Sequence, residues 1–249
     1  MHIKDLRRES RDFQRLIAAK KAECAPPDFP WYPYGTLSNF VHLERLLTGN
    51  NADLAPLDSG RPSADDGAAD GDLAYFLEQK GVGVIDIVDY APTNYNSLRG
   101  VRLLKEHLAS NVAIHETDLD SYFRWPRDDY GLVFFLGILY HLKNPYYVLE
   151  SLAKVASYSL ISTRVARLAA DRRTSMREHA LAYLLAPDEC NNDATNFWIF
   201  SETALRRILD RTGWTVLDYV SVGNTDNSDP ASAAGDERAF VFVKSRYRD

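Results

Sequence analysis

Cysteine is scarce in this chain, which contains only Cys24 and Cys190 among its 249 residues. Two cysteines supply neither a disulfide framework nor a cysteine-rich zinc site. The sequence also lacks an 18-residue apolar run and a secretory leader at its start. These absences predict a protein of the reducing cytoplasm without a membrane segment.

Metal-ligand spacing and net positive charge are also missing. The six histidines form no HxH or HxxxH pair, so we expect no metal ion. The formal charge of −6 disfavours nonspecific binding to nucleic acid, which depends on basic side chains neutralising phosphates. One local exception is the basic stretch within residues 1–21, formed by Lys4, Arg7, Arg8, Arg11, Arg15, Lys20 and Lys21.

Alternating strand and helix patterns dominate the rest of the chain. Apolar residues make up 45% of the sequence, enough for a sizeable core. Strands are predicted at 62–66, 83–88, 111–116, 130–137 and 158–163, and helices at 71–80, 95–109 and 144–155. This alternation predicts a parallel sheet covered by helices on both faces. A helix at 201–212 and strands at 215–222 and 238–244 should close the fold with an antiparallel hairpin.

The two flanking regions have a different character. Residues 1–49 are expected to form a helical and aromatic cap on an α/β domain at 50–249, with helices at 3–23 and 37–48 and a loop at 50–63. The alternation breaks at about 166–197, where a helical stretch at 174–185 is predicted. An insertion at this edge of a sheet is typically a lid or a substrate loop.

A turn containing glycine and acid residues follows the first strand at 64–72 (ADDGAADGD). Gly67 and Gly71 let the backbone approach a ligand closely. Asp89 lies 18 residues after Gly71 at the end of the second strand, where an acid can bind ribose hydroxyls. Asp70 and Asp72 would repel a diphosphate, so the turn favours a nucleoside carrying positive charge. Asp66 is an unexpected residue in the first predicted strand, because buried parallel strands are normally apolar.

These acids and the terminal hairpin resemble the class I S-adenosylmethionine (SAM)-dependent methyltransferases over residues 50–247. Those proteins have a Rossmann-like, doubly wound and mostly parallel seven-stranded sheet that ends in an antiparallel hairpin. The segments 137–145 (GILYHLKNP) and 196–201 (NFWIFS) look like the branch that contains the tRNA wobble-uridine carboxymethyltransferases and their relatives.

The resemblance implies SAM as the cofactor and S-adenosylhomocysteine as the product. In such a site Asp89 would take the ribose hydroxyls, Tyr90 would flank the adenine, and Asp118 and the Leu119 amide would meet the adenine ring. The methionine and ribose would be bordered by Asp65, Gly67, Ala69 and Gly71. Leu136 and Gly137, at the end of the fourth strand, complete the cofactor set.

Candidate catalytic and substrate residues follow the later strands. Tyr140 and His141 pair a phenol with an imidazole where a parallel sheet presents its ligands, so they are the candidates for a base or an orienting group; His141 as a helix cap is the alternative. Two sets of residues are candidates for substrate recognition. The first is aromatic, with packing as the alternative role: Trp31, Tyr32 and Tyr34. The second combines amides with an indole, with turn formation as the alternative role: Asn191, Asn192, Asn196 and Trp198.

Methyl transfer to a small polar metabolite is the leading functional hypothesis. The carboxymethyltransferases carry a basic, Trp-rich stretch before the first strand, whereas this chain has WYPY at 31–34 and is acidic overall. Arg164 and the N-terminal helix stay candidates for binding an extra cofactor carboxylate. Aminocarboxypropyl transfer or cyclisation, tRNA modification, and a non-catalytic partner subunit are the alternatives. The sequence leaves the oligomeric state open, with a homodimer as one option.

Overall fold

The computed structural model describes residues 3–42, 60–231 and 233–248. The chain divides into two compact units, residues 1–134 and 135–249. Nine strands and five α-helices have both ends among the described residues, and residues 40–42 are also α-helical. The helices are α1 (Ile3–Cys24), α2 (Asp72–Gln79), α3 (Arg99–His107), α4 (Pro145–Val155) and α5 (Glu202–Arg211). The strands are β1 (Ser63–Asp66), β2 (Ile85–Asp89), β3 (Ala113–Glu116), β4 (Tyr130–Leu136), β5 (Ala156–Val165), β6 (Ala182–Leu184), β7 (Trp198–Phe200), β8 (Trp214–Gly223) and β9 (Glu237–Ser245).

The first unit contains strands in the order β3-β2-β1-β4, with β2 parallel to both β1 and β3. In the register of these pairs Asp66 lies opposite Val88, and Asp89 lies opposite Glu116. The carboxyl ends of β1, β2 and β3 are therefore neighbours. In a parallel sheet this is the edge at which ligands bind.

Two strands of this unit are equally buried but differ in composition. The β4 residues from Tyr130 to Phe134 are fully buried and almost entirely apolar, as expected for a strand covered on both faces. The β1 residues are equally buried but read SADD. The strand with the least apolar sequence thus occupies a central position in the unit.

Helix α1 confirms the prediction for 3–23. Its buried side chains include Leu6, Phe13 and Ile17, and the Phe13 ring lies 5.6 Å from that of Phe76 on α2. Leu16, which the apolar pattern included, is 39% exposed. The helix packs within the first unit through this apolar stripe.

The second unit is built around β5, which pairs with β7 in parallel and with β9 in antiparallel orientation. Strands β8 and β9 form the predicted antiparallel hairpin, with a register shift between Val216 and Asp218. Two helices are capped by side chains that the sequence supplies at their starts: Asn144 accepts from the Tyr147 amide, and Ser201 from the Ala204 amide. The predicted mixed α/β architecture is confirmed.

The insertion differs from its prediction. No helix forms at 174–185; the segment contains a turn, an isolated bridge between Leu168 and Ser175, and then β6, which pairs with β7. These two short strands account for the difference between seven expected strands and nine observed. Local helical periodicity was overridden here by backbone pairing with residues 198–200.

Part of the predicted cap and loop lies outside the described residues, which omit 43–59. Of the helix predicted at 37–48, Thr36–Asn39 form a 3₁₀ turn and the described residues 40–42 are α-helical. Among the described residues no helix is long and apolar enough to cross a membrane.

The turn after β1 generates a prediction about Gly71. Its φ is +82°, and a Cβ there would lie 2.8 Å from Val101 Cγ2 and 2.9 Å from the Tyr75 ring. Gly81 has a similar φ of +75° but open space around it. Gly81→Ala should lower the free energy of unfolding by about 1 kcal/mol through backbone strain alone. Gly71→Ala should lower it by a further 1–3 kcal/mol, roughly, because overpacking is added. Urea denaturation measures both; equal losses would contradict the close packing of this turn.

Candidate functional site

The turn after β1 reverses direction by placing every second residue in the left-handed backbone region. Gly67, Ala69 and Gly71 have φ values of +69°, +54° and +82°. Glycine adopts this conformation freely, whereas alanine does so at a cost. The alternation folds a tight turn at the carboxyl edge of the strands, where a glycine backbone lets a ligand approach closely.

Asp65 is the first acid of this turn and is only 2% exposed. Its carboxylate accepts from the Ala74 amide at the start of α2, but its Oδ2 has no hydrogen-bond partner among the described residues. Burial, with the nearby charges of Asp89 and Asp72, raises the pKa of Asp65 to about 8 against the opposing effect of the Ala74 bond. A buried, unpartnered acceptor at this position is suited to a ligand donor.

Asp89 ends β2 and links three segments. Its Oδ1 accepts from the Tyr90 amide at 2.7 Å, and its Oδ2 accepts from Asn94 Nδ2 at 3.0 Å. Asn94 also donates to the Ala69 carbonyl at 3.0 Å, so the turn after β1 is tied to the loop after β2. The Ala69 amide also donates to this carboxylate. Three of its four lone pairs are thus used, which leaves one for a further donor such as a ribose hydroxyl.

Asn94 was not predicted from the sequence. Its side chain holds the loop by accepting from the amides of Asn96 and Leu98 while donating to Asp89. An Asn five residues after a strand end is a common turn residue, and only the side-chain partners distinguish this one.

Asp118 lies two residues beyond the observed end of β3. Its Oδ1 accepts from the Asp120 amide at 2.9 Å, which forms a local Asx turn, and Leu119 beside it is buried. The Thr117 amide donates to the Asp89 carbonyl at 2.9 Å. This bond brings the segment after β3 to the end of β2, so the structure places Asp65, Asp89 and Asp118 at one edge of the first unit.

Asp70 and Asp72 are paired with a lysine of the N-terminal helix. Lys21 of α1 places its Nζ 2.9 Å from Asp70 Oδ2 and 3.0 Å from Asp72 Oδ1. Burial opposes the charge on Lys21, yet these two carboxylates raise its pKa overall. Lys21 therefore balances part of the charge of these two acids, a role that the sequence did not indicate.

Asp70 also organises the surrounding loops. It accepts from the Tyr32 amide at 2.9 Å and from Asn96 Nδ2 at 2.7 Å. Asn96 in turn accepts from the Gly100 amide at the start of α3. One buried carboxylate therefore connects α1, the aromatic segment, the turn after β1 and the loop after β2.

The aromatic segment contains both packed and exposed side chains. The Trp31 ring lies 5.2 Å from Lys21 Nζ and packs against Phe29. Tyr32 makes edge contacts with Tyr34 and Tyr95, which are 72% and 58% exposed. Trp31 thus has the packing role that was the alternative, while the two exposed tyrosines retain surface for a ligand.

In the second unit the predicted residues of the 137–141 segment lie together. Leu136 is half-buried at the end of β4, and Gly137 follows it with φ +78° and donates its amide to the Ser162 carbonyl. The rings of Tyr140 and His141 are 4.2 Å apart between centroids. His141 Nδ1 lies 3.1 Å from the Thr195 carbonyl.

Burial favours the neutral form of both aromatic side chains. Burial raises the pKa of Tyr140 against the nearby Arg238 charge, and burial lowers the pKa of His141. The Thr195 carbonyl and hydroxyl both lie 3.1 Å from His141 Nδ1. The tautomer with its proton on Nδ1 donates to the carbonyl and leaves Nε2 as the proton acceptor. The pair thus offers a base nitrogen and a phenol donor side by side in sequence.

The amide residues of the insertion separate into two kinds. Cys190, Asn191 and Asn192 form consecutive left-handed positions, and the two Asn side chains are exposed. Asn196 is buried and donates to the Cys190 carbonyl at 3.0 Å. Trp198 Nε1 contacts the Lys143 carbonyl at 3.4 Å and lies on β7 rather than in a loop. The Asn196 and Trp198 contacts hold the insertion together.

Arg164 is buried on β5, and its Nε lies 2.7 Å from Asp236 Oδ1. It also donates to the Cys190 sulfur. The candidate cation for an extra cofactor carboxylate is therefore already paired within the second unit. Among the described residues no group of three or more His, Cys, Asp or Glu side chains is placed to hold a metal.

Comparison with solved structures identifies the fold. The N-terminal domain of EvdMO1, crystallised with S-adenosylhomocysteine, is 16% identical with a TM-score of 0.55, over 94% of this chain and 96% of that one. The [4+2]-cyclase SpnF is 12% identical with a TM-score of 0.57, over 96% of both chains. A SAM-dependent methyltransferase from Clostridium acetobutylicum ATCC 824 is 10% identical with a TM-score of 0.51, over 85% of this chain and 98% of that one.

No protein-family model and no curated protein sequence matches the chain. The structural similarity shows that the chain has the class I SAM-dependent methyltransferase fold, as the sequence predicted.

The Lys21 ion pairs generate a test with a neighbouring control. Lys21→Met leaves two largely buried carboxylates without their cation and should lower the free energy of unfolding by about 3 kcal/mol. Lys20 pairs with Glu23 at the surface, where both side chains are more than one-third exposed. Lys20→Met should cost under about 1 kcal/mol. Chemical denaturation that gives both variants the same small loss would contradict the proposed compensation.

Proposed function

We propose that this protein is a SAM-dependent methyltransferase that acts on a small polar metabolite. The observation that carries the proposal is the convergence of Asp65, Asp89 and Asp118 at the ends of three neighbouring parallel strands in a fold shared with SAM-dependent enzymes. Asp65 offers a buried unpartnered oxygen, and Asp89 offers free acceptor capacity. Both properties suit a ligand rich in hydroxyl and amino donors.

Each cofactor residue predicted in the first unit is assigned a contact with SAM. Asp89 takes the ribose hydroxyls, Tyr90 flanks the adenine, and Asp118 with the Leu119 amide receives the adenine edge. The methionine and ribose lie against the turn formed by Asp65, Gly67, Ala69 and Gly71. Leu136 and Gly137, which follow in the chain, are proposed as further cofactor contacts.

Bound SAM supplies a methyl group already activated by its sulfonium. The protein must hold a nucleophile in line with that methyl at about 3 Å and needs no covalent intermediate. We assign Tyr140 to orientation of the acceptor through its phenol. We assign His141 Nε2 to acceptance of the proton that a hydroxyl or amine acceptor loses. Burial lowers the pKa of His141, which favours the neutral imidazole that this role requires.

The acceptor is assigned to the aromatic and amide residues. Tyr34 has exposed ring surface, Tyr32 packs against it, and Asn191 and Asn192 present exposed amides. Trp31, Asn196 and Trp198 support these residues through the contacts described above. A polar, partly planar metabolite fits this set of groups better than an apolar one.

The fold also accommodates chemistry other than methyl transfer, because one structural neighbour is a [4+2]-cyclase. Analysis of the nucleoside product separates the alternatives. Methyl transfer releases S-adenosylhomocysteine, whereas aminocarboxypropyl transfer or cyclisation releases methylthioadenosine. If neither nucleoside is released and SAM stays bound unchanged, the protein has a non-catalytic or cyclase-like role. Binding of tRNA that weakens steeply with salt would favour an RNA substrate.

Asp89→Ala tests the cofactor site directly. Loss of a charge-assisted pair of hydrogen bonds should weaken SAM binding by about 1–3 kcal/mol in calorimetry. Asp129→Ala removes an exposed acid from the same unit and should leave the affinity within the error of the measurement. Unchanged affinity in Asp89→Ala would show that the nucleoside does not contact the end of β2.

A further inference from the structure

Asp66 is the residue that fits its position least well. It ends β1, is 2% exposed, and occupies a position where buried parallel strands normally carry apolar side chains. Its Oδ2 has no hydrogen-bond partner among the described residues. The Gly67 amide next to it in the chain supplies a compensating hydrogen bond. A carboxylate is costly to bury without a cation, so its retention calls for a physical explanation.

Asp66 belongs to a cluster of three carboxyl groups, which we define as Asp65, Asp66 and Asp89. Asp65 and Asp66 both have a buried, unpartnered Oδ2, and each interacts electrostatically with Asp89. The cationic side chains of the region are engaged elsewhere. Lys21 pairs with Asp70 and Asp72, and Arg127 pairs with Asp86. Among the ion pairs of the described residues, none joins this cluster to a cation.

The other ionisable groups around the cluster offer it no positive charge either. They are Asp70 of the turn, Asp72 and Tyr75 of α2, Asp86 of β2, and Tyr130 of β4. The imidazole of His115 on β3 contacts a different acid, with its Nε2 3.3 Å from Asp86 Oδ1. Burial raises the pKa of Asp65 to about 8 and that of Asp66 well above its ordinary value. Burial without a cation therefore favours the protonated forms of Asp65 and Asp66, and an approaching positive charge favours their ionised forms.

We propose that Asp66 is a specificity-determining residue that makes the nucleoside site favour a cationic ligand over its neutral counterpart, because the cluster releases a proton to solvent when the cation binds. This inference rests on the proposed function, in which the ligand is SAM. SAM and S-adenosylhomocysteine share the adenosine, the amino group and the carboxylate. They differ by the methyl group and the positive charge on sulfur, so their affinity ratio reports the charge preference.

The direction of the pH effect follows from linkage. A bound sulfonium stabilises ionised carboxylates and so lowers their pKa, which means that SAM binding releases protons. SAM affinity should consequently rise with pH until the cluster is ionised in the free protein. S-adenosylhomocysteine lacks this charge and should release fewer protons.

Calorimetry of the full chain with SAM and with S-adenosylhomocysteine tests the inference between pH 6.5 and 8.5. In wild type the SAM to S-adenosylhomocysteine affinity ratio should rise about 3- to 10-fold over this range, the scale of a partly linked single proton. Repeating the titration in buffers of different protonation enthalpy counts the protons released. SAM should release more of them than the product does.

Variants at position 66 isolate its contribution. Asp66→Asn removes the titrating group while keeping its shape, and Asp66→Val supplies the side chain that a buried strand favours. In both, the pH-dependent rise of the ratio should fall by at least half. Thermal denaturation verifies folding, and Asp66→Val is expected to melt at a higher temperature than wild type. Asp129→Asn and His115→Gln are the controls and should retain the wild-type rise.

Two results overturn the inference, and they are distinguishable. SAM binding with a ratio that is constant with pH, or a rise that persists in both Asp66 variants, removes the role of Asp66 and leaves the proposed function intact. Absence of SAM binding to wild type at any pH in the range removes the proposed function together with the inference.

Discussion

The ion pairs of Lys21 with Asp70 and Asp72 are the interaction on which the first unit's candidate site depends. They join the N-terminal helix to the turn after β1. Asp70 also accepts hydrogen bonds from Tyr32 of the aromatic segment and from Asn96 of the loop after β2. Without the cation, two acids would repel each other inside a turn whose backbone is already in left-handed conformations. The N-terminal helix is thus part of the site's support.

Charge compensation separates the acids of this unit into two groups with different consequences. Asp70, Asp72 and Asp86 are paired with Lys21 or Arg127 and serve the architecture. Asp65, Asp66 and Asp89 have no such partner and lie where the strands end. Uncompensated, buried carboxyl groups at a ligand-binding edge are a feature that structural needs alone do not explain. In the proposed function, a cationic nucleoside supplies the missing charge.

The sequence predicted most of the fold because periodicity and turn residues are local signals. The strands and helices from Ser63 to Val165 and the closing hairpin appear within a few residues of their predicted bounds. The helix at 174–185 was wrong because the partner that makes β6 a strand lies at 198–200, beyond the reach of a local pattern. The positions of Asp65 and Asp89 followed from the strand ends. The roles of Asp70, Asn94 and Arg164 did not, since each depends on side-chain partners that no spacing reveals.

Amide hydrogen exchange with and without SAM tests the central claim most directly. If an adenosyl group occupies the ends of β1, β2 and β3, SAM should slow exchange in three segments together: residues 65–71, 89–98 and 117–121. The surface helix α5 should exchange at the same rate in both states. Exchange that is unchanged in those three segments at saturating SAM, or slowed only elsewhere, would contradict the account.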